Sequence, residues 1–244
     1  MRALIVTAVA AEADSVAAGL TPHPDPVTPE PRTLPGGYLI SRRDLPGLAA
    51  DVLIGGVGPA AAAAATATAL ALADYSVVIS AGIGGGFAPA APLGSLVVAD
   101  AIVAADLGAQ TPEGFLSVAE LGFGRDVHLP PAELAARAAE ATGALLAPVL
   151  TVSTVTGTAA RAAELAARHP LAGAEAMEGF GVAEAAAAHG LPVLEIRAVS
   201  NAVGPRDRAA WRIGDALTAL AEGFGKLGNV LVHWGGQHEH EQHR

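Results

Sequence analysis

Residues 51–73 read DVLIGGVGPAAAAAATATALALA. An apolar run, Asp51–Gly55, meets the glycine turn Gly55-Gly56-Val57-Gly58, and Pro59 then opens an alanine-rich stretch that the composition extends to Ala73. Proline suits the first helical turn, where its missing N–H costs no intrahelical bond. The segment therefore reads as strand, tight turn, helix. The same alternation recurs on both sides of it. Apolar runs at Ala3–Val9, Tyr38–Arg43, Val77–Ser80, Ser95–Val103, Ala147–Ser153 and Pro192–Ser200 predict strands. Helical stretches are expected at Ala132–Ala141, Ala159–Arg168, Glu178–His189 and Arg208–Lys226. Strands that alternate with helices predict a three-layer α/β/α fold, its central twisted sheet mixed but mostly parallel. Tyr38–Arg43 and Asp51–Gly55 flank Leu45-Pro46-Gly47 and are expected to pair as a hairpin. Thr21–Pro35, rich in proline, reads as an exposed connector.

Residues 1–228 are expected to form a single domain, followed over 229–244 by a polar, solvated tail carrying His233, His238, His240 and His243. The spacing of those histidines misses the metal-binding H-E-x-x-H pattern, so no metal is assigned to them. A chain of 244 residues buries roughly 70–75% of its unfolded surface and needs no staples. None is available from sulfur, since the chain has no cysteine. Hydrophobic residues make up 52% and charged residues only 16%, much of the apolar share being alanine, as base composition in a genome can produce.

The formal net charge of −10, with no run of five basic residues, argues against nucleic acid or an anionic membrane as partner. No clean apolar stretch reaches the ~18 residues that would suggest a membrane span. The run Ala3–Ala11 behind Met1-Arg2 admits a signal-peptide reading. One positive charge before it and Glu12 and Asp14 directly after it favour a buried strand entering a helix, hence a cytoplasmic protein.

A second glycine-rich turn, Ala81-Gly82-Ile83-Gly84-Gly85-Gly86, is expected after the strand Val77–Ser80. Such turns let backbone N–H groups approach a phosphate, sugar or carboxylate. The dinucleotide spacing G-x-G-x-x-G is not met in the first turn, and no acidic residue clearly ends a second strand, which disfavours an NAD-dependent oxidoreductase. Glu12 past the first strand, Met177-Glu178-Gly179 at a helix start and Ser200-Asn201 at a strand end each have a plain structural use as a first-turn acid, a cap or a turn. All three lie near carboxyl ends of strands, where open α/β sheets bind their ligands.

Together these segments resemble the nucleoside phosphorylase and nucleosidase family. The resemblance is carried in family order by Glu12, Gly56-Val57-Gly58, Ala81–Gly85, the strand Leu93–Asp100, Met177-Glu178-Gly179 and Arg197-Ala198-Val199-Ser200-Asn201. Ala105–Phe115 and Ser200–Asp207 are most similar to the futalosine-hydrolysing branch, nucleosidases of a menaquinone route. Two positions depart from the methylthioadenosine-cleaving branch: Asn201 replaces its usual aspartate, and Ile83 a usual serine.

The resemblance implies an enzyme without cofactor that hydrolyses a purine nucleoside, a small-molecule partner. Glu12 would activate water at C1′, Glu178 would accept two hydrogen bonds from ribose hydroxyls, and Asn201 would stabilise the leaving base. Met177, Gly84, Gly85 and Ser200 would line the substrate. A homodimer or larger oligomer is implied as well. An amide has no proton to give up but can donate to N7 and O6 of a departing 6-oxopurine, so Asn201 suits hypoxanthine. Arg206 and Trp211 could meet an aromatic 5′ carboxylate by ion pairing and stacking, though a solvated helix start uses such residues equally. Arg197 and Glu195, two apart on one strand face, read as a structural pair. A phosphorylase is disfavoured because Tyr75–Ala81, where that branch places an arginine, carries no basic residue. A non-catalytic nucleoside-binding module would have no use for an acid at Glu12.

Overall fold

The computed structural model describes residues 1–21 and 30–241, with side chains through Gly236. In chain order the elements are β1 (Arg2–Thr7), α1 (Ala10–Gly19), β2 (Arg32–Thr33), β3 (Leu39–Leu45), β4 (Leu48–Ile54), α2 (Pro59–Leu70), β5 (Val77–Gly86) and β6 (Leu96–Ala104). A small hairpin follows, β7 (Gly108–Thr111) and β8 (Gly114–Ser117), then β9 (Val127–His128), α3 (Ala132–Thr142) and β10 (Leu145–Thr151). The chain ends with α4 (Ala159–Arg168), β11 (Ala174–Ala176), α5 (Gly179–Ala188), β12 (Val193–Ala202) and α6 (Ile213–Glu241).

The main sheet has the order β11-β10-β6-β12-β5-β1-β4-β3-β2, with β9 added beside β6. Pairing is parallel for β1 with β4 and β5, β5 with β12, and β10 with β6 and β11; it is antiparallel for β12 with β6 and β3 with β4. The run Ala3–Val9 thus supplies an interior strand, with β4 and β5 on its two sides. Alternate residues of β1 serve opposite faces, as the twofold period of a strand requires. Ala3 and Ile5 pack with α1, α3 and α6 through Val16, Leu134, Leu220 and Phe224, whereas Leu4 and Val6 pack with α2 and α5 through Ala62, Ala65 and Val182. These two cores make the three layers. Each fully buried side chain of the size of Phe224 contributes about 1.5–3 kcal/mol.

Pairing of Ala174 and Glu175 with Gly86 and Gly85 adds a contact that sequence periodicity could not show. It joins β11 back to β5, so that β5, β12, β6, β10 and β11 form a closed ring of strands at one end of the sheet. The expected turn Ala81–Gly86 is corrected: these residues continue β5. Glycine disfavours strands in general, yet here neighbours press on both sides. A Cβ at Gly84 would lie 2.7 Å from the carbonyl oxygen of Glu175, and one at Gly86 would lie 2.2 Å from that of Ala91. Opposite this segment β12 bulges, its register stepping from Val199↔Gly84 to Asn201↔Gly85, so Ser200 is the extra residue.

Helix α6 also differs from expectation. Arg208–Ala210 form a short 3-10 turn, and the helix itself runs from Ile213 past the expected boundary at 228 to Glu241. Leu231 and Trp234 belong to the core, so the segment after 228 is packed helix rather than solvated tail at least that far. His233 is on this helix and exposed, its Nδ1 donating to the Asn229 carbonyl at 2.7 Å. The side chains of His238, His240 and His243 lie outside the described residues, as does most of the proline-rich connector.

On the other face α2 and α5 meet with almost nothing between them. A Cβ on Gly181 would fall 2.0 Å from the carbonyl oxygen of Pro59, so backbone lies against backbone. Gly58 precedes Pro59 with φ +93, a conformation that side-chain-bearing residues rarely adopt.

Candidate active site

A cavity of about 240 Å³ opens at the carboxyl ends of β1, β5, β11 and β12. Glu12, Gly84, Gly85, Met177, Glu178, Ser200, Asn201 and Trp211 all line it. Arg206 does not: it is exposed and lies over the Trp211 indole, 5.3 Å from the ring centroid, with Arg208 at 6.0 Å. The structure adds Glu175 and Val155, which the sequence did not single out, and Val57 of the first glycine turn to the lining.

Glu12 sits in the first turn of α1, 4% exposed. Its Oε2 accepts backbone N–H groups from Ala8 (2.9 Å) and Val9 (3.2 Å), and its Oε1 accepts that of Ile83 (2.9 Å). It therefore serves as a helix cap and as a tie between α1 and β5. A carboxylate offers about four lone-pair positions, so one on Oε1 remains for a ligand or water. Burial raises the pKa of Glu12; the charge of Arg197 and the N–H of Ile83 oppose the rise.

Glu178 occupies the N-cap position of α5. Its Oε1 accepts from Gly58 N–H at 3.2 Å, and its Oε2 accepts from Met177 N–H at 3.3 Å and from Arg197 Nη1 at 3.1 Å. The α2–α5 seam brings the Gly58 donor within reach. With three positions taken, one lone pair remains for a ribose hydroxyl, fewer than the two foreseen.

Arg197 corrects the sequence reading most. Its Nε donates to Glu195 Oε1 at 2.8 Å, as the spacing suggested, but Nη1 reaches Glu178 and Nη2 reaches Ser80 Oγ at 2.8 Å. A Cβ on Gly82 would meet Arg197 Nη1 at 2.8 Å and Glu12 Oε1 at 2.5 Å, so the guanidinium and Glu12 face each other across that glycine. Burial would lower the pKa of this arginine; Glu195, Glu178 and Glu12 outweigh it and raise it. The pair is thus the hub of a buried charge network behind the cavity floor.

Asn201 is half-buried. The Ser200 hydroxyl donates to its Oδ1 at 2.9 Å and leans toward the Gly84 carbonyl at 3.2 Å, while Asn201 Nδ2 donates to the Ala202 carbonyl at 3.1 Å. Ser200 therefore orients the amide, and the second Nδ2 hydrogen remains for a ligand. Glu175, on β11, accepts both the backbone N–H (2.8 Å) and the hydroxyl of Thr156. Burial raises its pKa against those two bonds. Its strand has only three residues, too short for a periodic signal.

A model of the phosphorylase superfamily matches residues 2–231, and the chain belongs to that superfamily. Within it the chain is similar to futalosine hydrolases. The futalosine hydrolase of Streptomyces coelicolor is 63% identical over 243 residues, covering 96% of this chain and 98% of the relative. That of Acidothermus cellulolyticus is 48% identical over 238 residues, covering 93% and 91%. The native structure of Helicobacter pylori futalosine hydrolase superposes with a TM-score of 0.78 at 17% identity, covering 96% of this chain and 97% of that one, a likeness of fold.

Proposed function

We propose that this chain is a nucleosidase that hydrolyses the N-glycosidic bond of futalosine, releasing hypoxanthine and the dehypoxanthine product within a menaquinone-forming route. The high identity to futalosine hydrolases supports the substrate. The observation that carries the chemistry is Glu12: a buried carboxylate with one acceptor position open to the cavity and a raised pKa, fit to take a proton from water at C1′. As the C1′–N9 bond breaks, its electron pair passes to the base, and the free Nδ2 hydrogen of Asn201 meets charge growing on N7 and O6. Glu178, with Met177, fixes the ribose while positive charge builds on the sugar. Trp211, which lines the cavity with Arg206 over its indole, suits an aromatic 5′ carboxylate by stacking and ion pairing.

Water is preferred over phosphate as nucleophile. Glu12, Glu175 and Glu178 line the cavity, and among the described residues no Lys, Arg or His does. A phosphate dianion would meet carboxylates without a counter-charge. Among the described residues no helix is long and apolar enough to cross a membrane. A cytoplasmic location is part of this proposal; in the run that admitted a signal-peptide reading, Arg2–Thr7 is an interior strand of the sheet. Assembly into a homodimer or larger oligomer is part of the proposal, and apolar side chains such as Phe123 and Leu129, 81% and 74% accessible, would be available to it. The decisive assay offers futalosine, inosine and methylthioadenosine in phosphate-free buffer. Free hypoxanthine from futalosine, at a rate that phosphate does not raise, is expected; a ribose 1-phosphate product, or preference for methylthioadenosine, overturns the reading.

A further inference from the structure

Glu195 does not line the cavity, yet it is fully buried on β12 and pairs with Arg197, two residues on, at 2.8 Å. Among the described residues only one of its oxygens is used: Oε1 accepts from Arg197 Nε, and Oε2 has no hydrogen-bond partner. The carboxylate lies directly on Gly179, where a Cβ would fall 2.1 Å from Oε2 and 2.3 Å from Oε1. Gly179 is the first residue of α5, immediately after the Glu178 cap. A buried carboxylate with an unsatisfied oxygen is costly, and an apolar residue at the site would avoid the cost. Structural economy does not explain it.

The charge it faces does. One guanidinium is shared by Glu195 on β12, Glu178 at the head of α5 and Glu12 on α1; from β5 comes only the neutral Ser80, and Glu175 on β11 is engaged with Thr156. Three carboxylates divide one positive charge. If Glu195 took no share of the Arg197 charge, Glu12 would be held firmly ionised, and an anion stabilised in that way is a poor base. We propose that Glu195 is a positioning residue for hydrolysis: by gripping Nε of Arg197 it holds the guanidinium and draws part of its field away from Glu12, which keeps Glu12 basic enough to deprotonate water. Burial of Glu12 acts in the same direction, while the ion pair with Arg197 opposes the effect of burial on Glu195 itself.

This inference rests on Glu12 being the base, and the test separates the two. Glu195→Gln keeps an oxygen that can accept from Arg197 Nε but removes the charge. The acid limb of kcat/KM for futalosine should move about half to one pH unit lower, because Glu12 then loses its proton more readily. Its plateau should fall about three- to tenfold, following the weaker base. Glu195→Asp, which keeps the charge, should return the limb toward the wild-type position. Gly179→Ala provides an independent arm: its new methyl pushes the carboxylate off Arg197 and should shift the limb the same way, even if Glu195→Gln folds poorly. A folded Glu195→Gln or Gly179→Ala enzyme with lowered Tm but an unmoved acid limb overturns the proposal and leaves Glu195 a structural group. Failure of the base reading looks different: Glu12→Gln would then retain the wild-type limb.

Discussion

Changing Asn201 to aspartate tests what selects the purine. In the wild type the amide has two N–H groups, one held by the Ala202 carbonyl at 3.1 Å and one free, and its oxygen is occupied by Ser200 at 2.9 Å. Asn201→Asp preserves the Ser200 contact, since a carboxylate oxygen accepts that hydroxyl at least as well. The other oxygen replaces Nδ2 and now faces the Ala202 carbonyl, acceptor against acceptor. Ionised, it repels both that carbonyl and a 6-oxopurine gaining negative charge. Protonated, it has a single hydrogen to share where the amide had two. Loss of one donor to a developing anion costs about 2.7–4 kcal/mol, or roughly 10²–10³ in rate. A 6-amino base instead gains from a proton delivered at N7. The ratio of kcat/KM for futalosine over its 6-amino counterpart with the same 5′ group should therefore fall by at least about 10² in the variant. Both substrates are assayed side by side by release of free base, in wild type and variant. A wild type that already prefers the 6-amino nucleoside, or a ratio unchanged in the variant, refutes the role given to Asn201.

Glu12→Gln should lower turnover by roughly 10² or more. It also has a structural cost, because a glutamine cannot accept all three of the N–H groups from Ala8, Val9 and Ile83, and about 1–3 kcal/mol of stability should go with the lost bond; a stable variant turning over at near the wild-type rate removes Glu12 from the mechanism. Glu178→Gln should weaken binding and turnover together, and more for the ribose than for the 2′-deoxyribose substrate; equal losses on the two would dismiss the sugar-anchor role. Glu175→Gln tests burial. The amide oxygen can accept from Thr156 N–H while the new NH₂ donates to the hydroxyl, so little is lost. The folded-state pKa of Glu175 is raised, so its contribution to stability is full below the unfolded value of about 4.5 and fades as pH rises through the folded value. The Tm of the variant relative to wild type should climb as pH rises from about 4.5 through the raised folded value and level off above it; a difference independent of pH in thermal melts would contradict it.

Much of the fold could be read because local pattern and tertiary role agree. The apolar run at Ala3–Val9, the Gly58-Pro59 helix start and the Leu45–Gly47 hairpin turn each have one physical solution. Where they disagree, the reading stopped short. Ala81–Gly86 looks like a loop because glycine is a poor strand former, and only the backbone of Glu175 and Ala91 pressing on it explains the strand. The polar, histidine-bearing end of α6 hid Leu231 and Trp234, whose burial depends on distant partners. In the site, Glu12, Glu178 and Asn201 stood at strand ends and were visible. Glu175 and the far side of Arg197 were not, since a three-residue strand has no period and a two-residue spacing shows one partner of an arginine that has three.

The seam between α2 and α5 bears on anyone who would redesign this pocket. Spacing there is gauged by peptide backbone resting on peptide backbone at Pro59 and Gly181, and both helices deliver their first residues to the site: the Gly58 N–H from one, the Glu178 carboxylate from the other. Side-chain packing can be retuned by trading volume between neighbours, as around Phe224 and Leu220 on the opposite face. A contact without side chains has no such adjustment. Enlargement of the cavity is therefore best sought at Val57, Val155 or Trp211, while a single methyl at Gly181, which does not line the cavity, would push the helices apart and pull the Gly58 donor off Glu178.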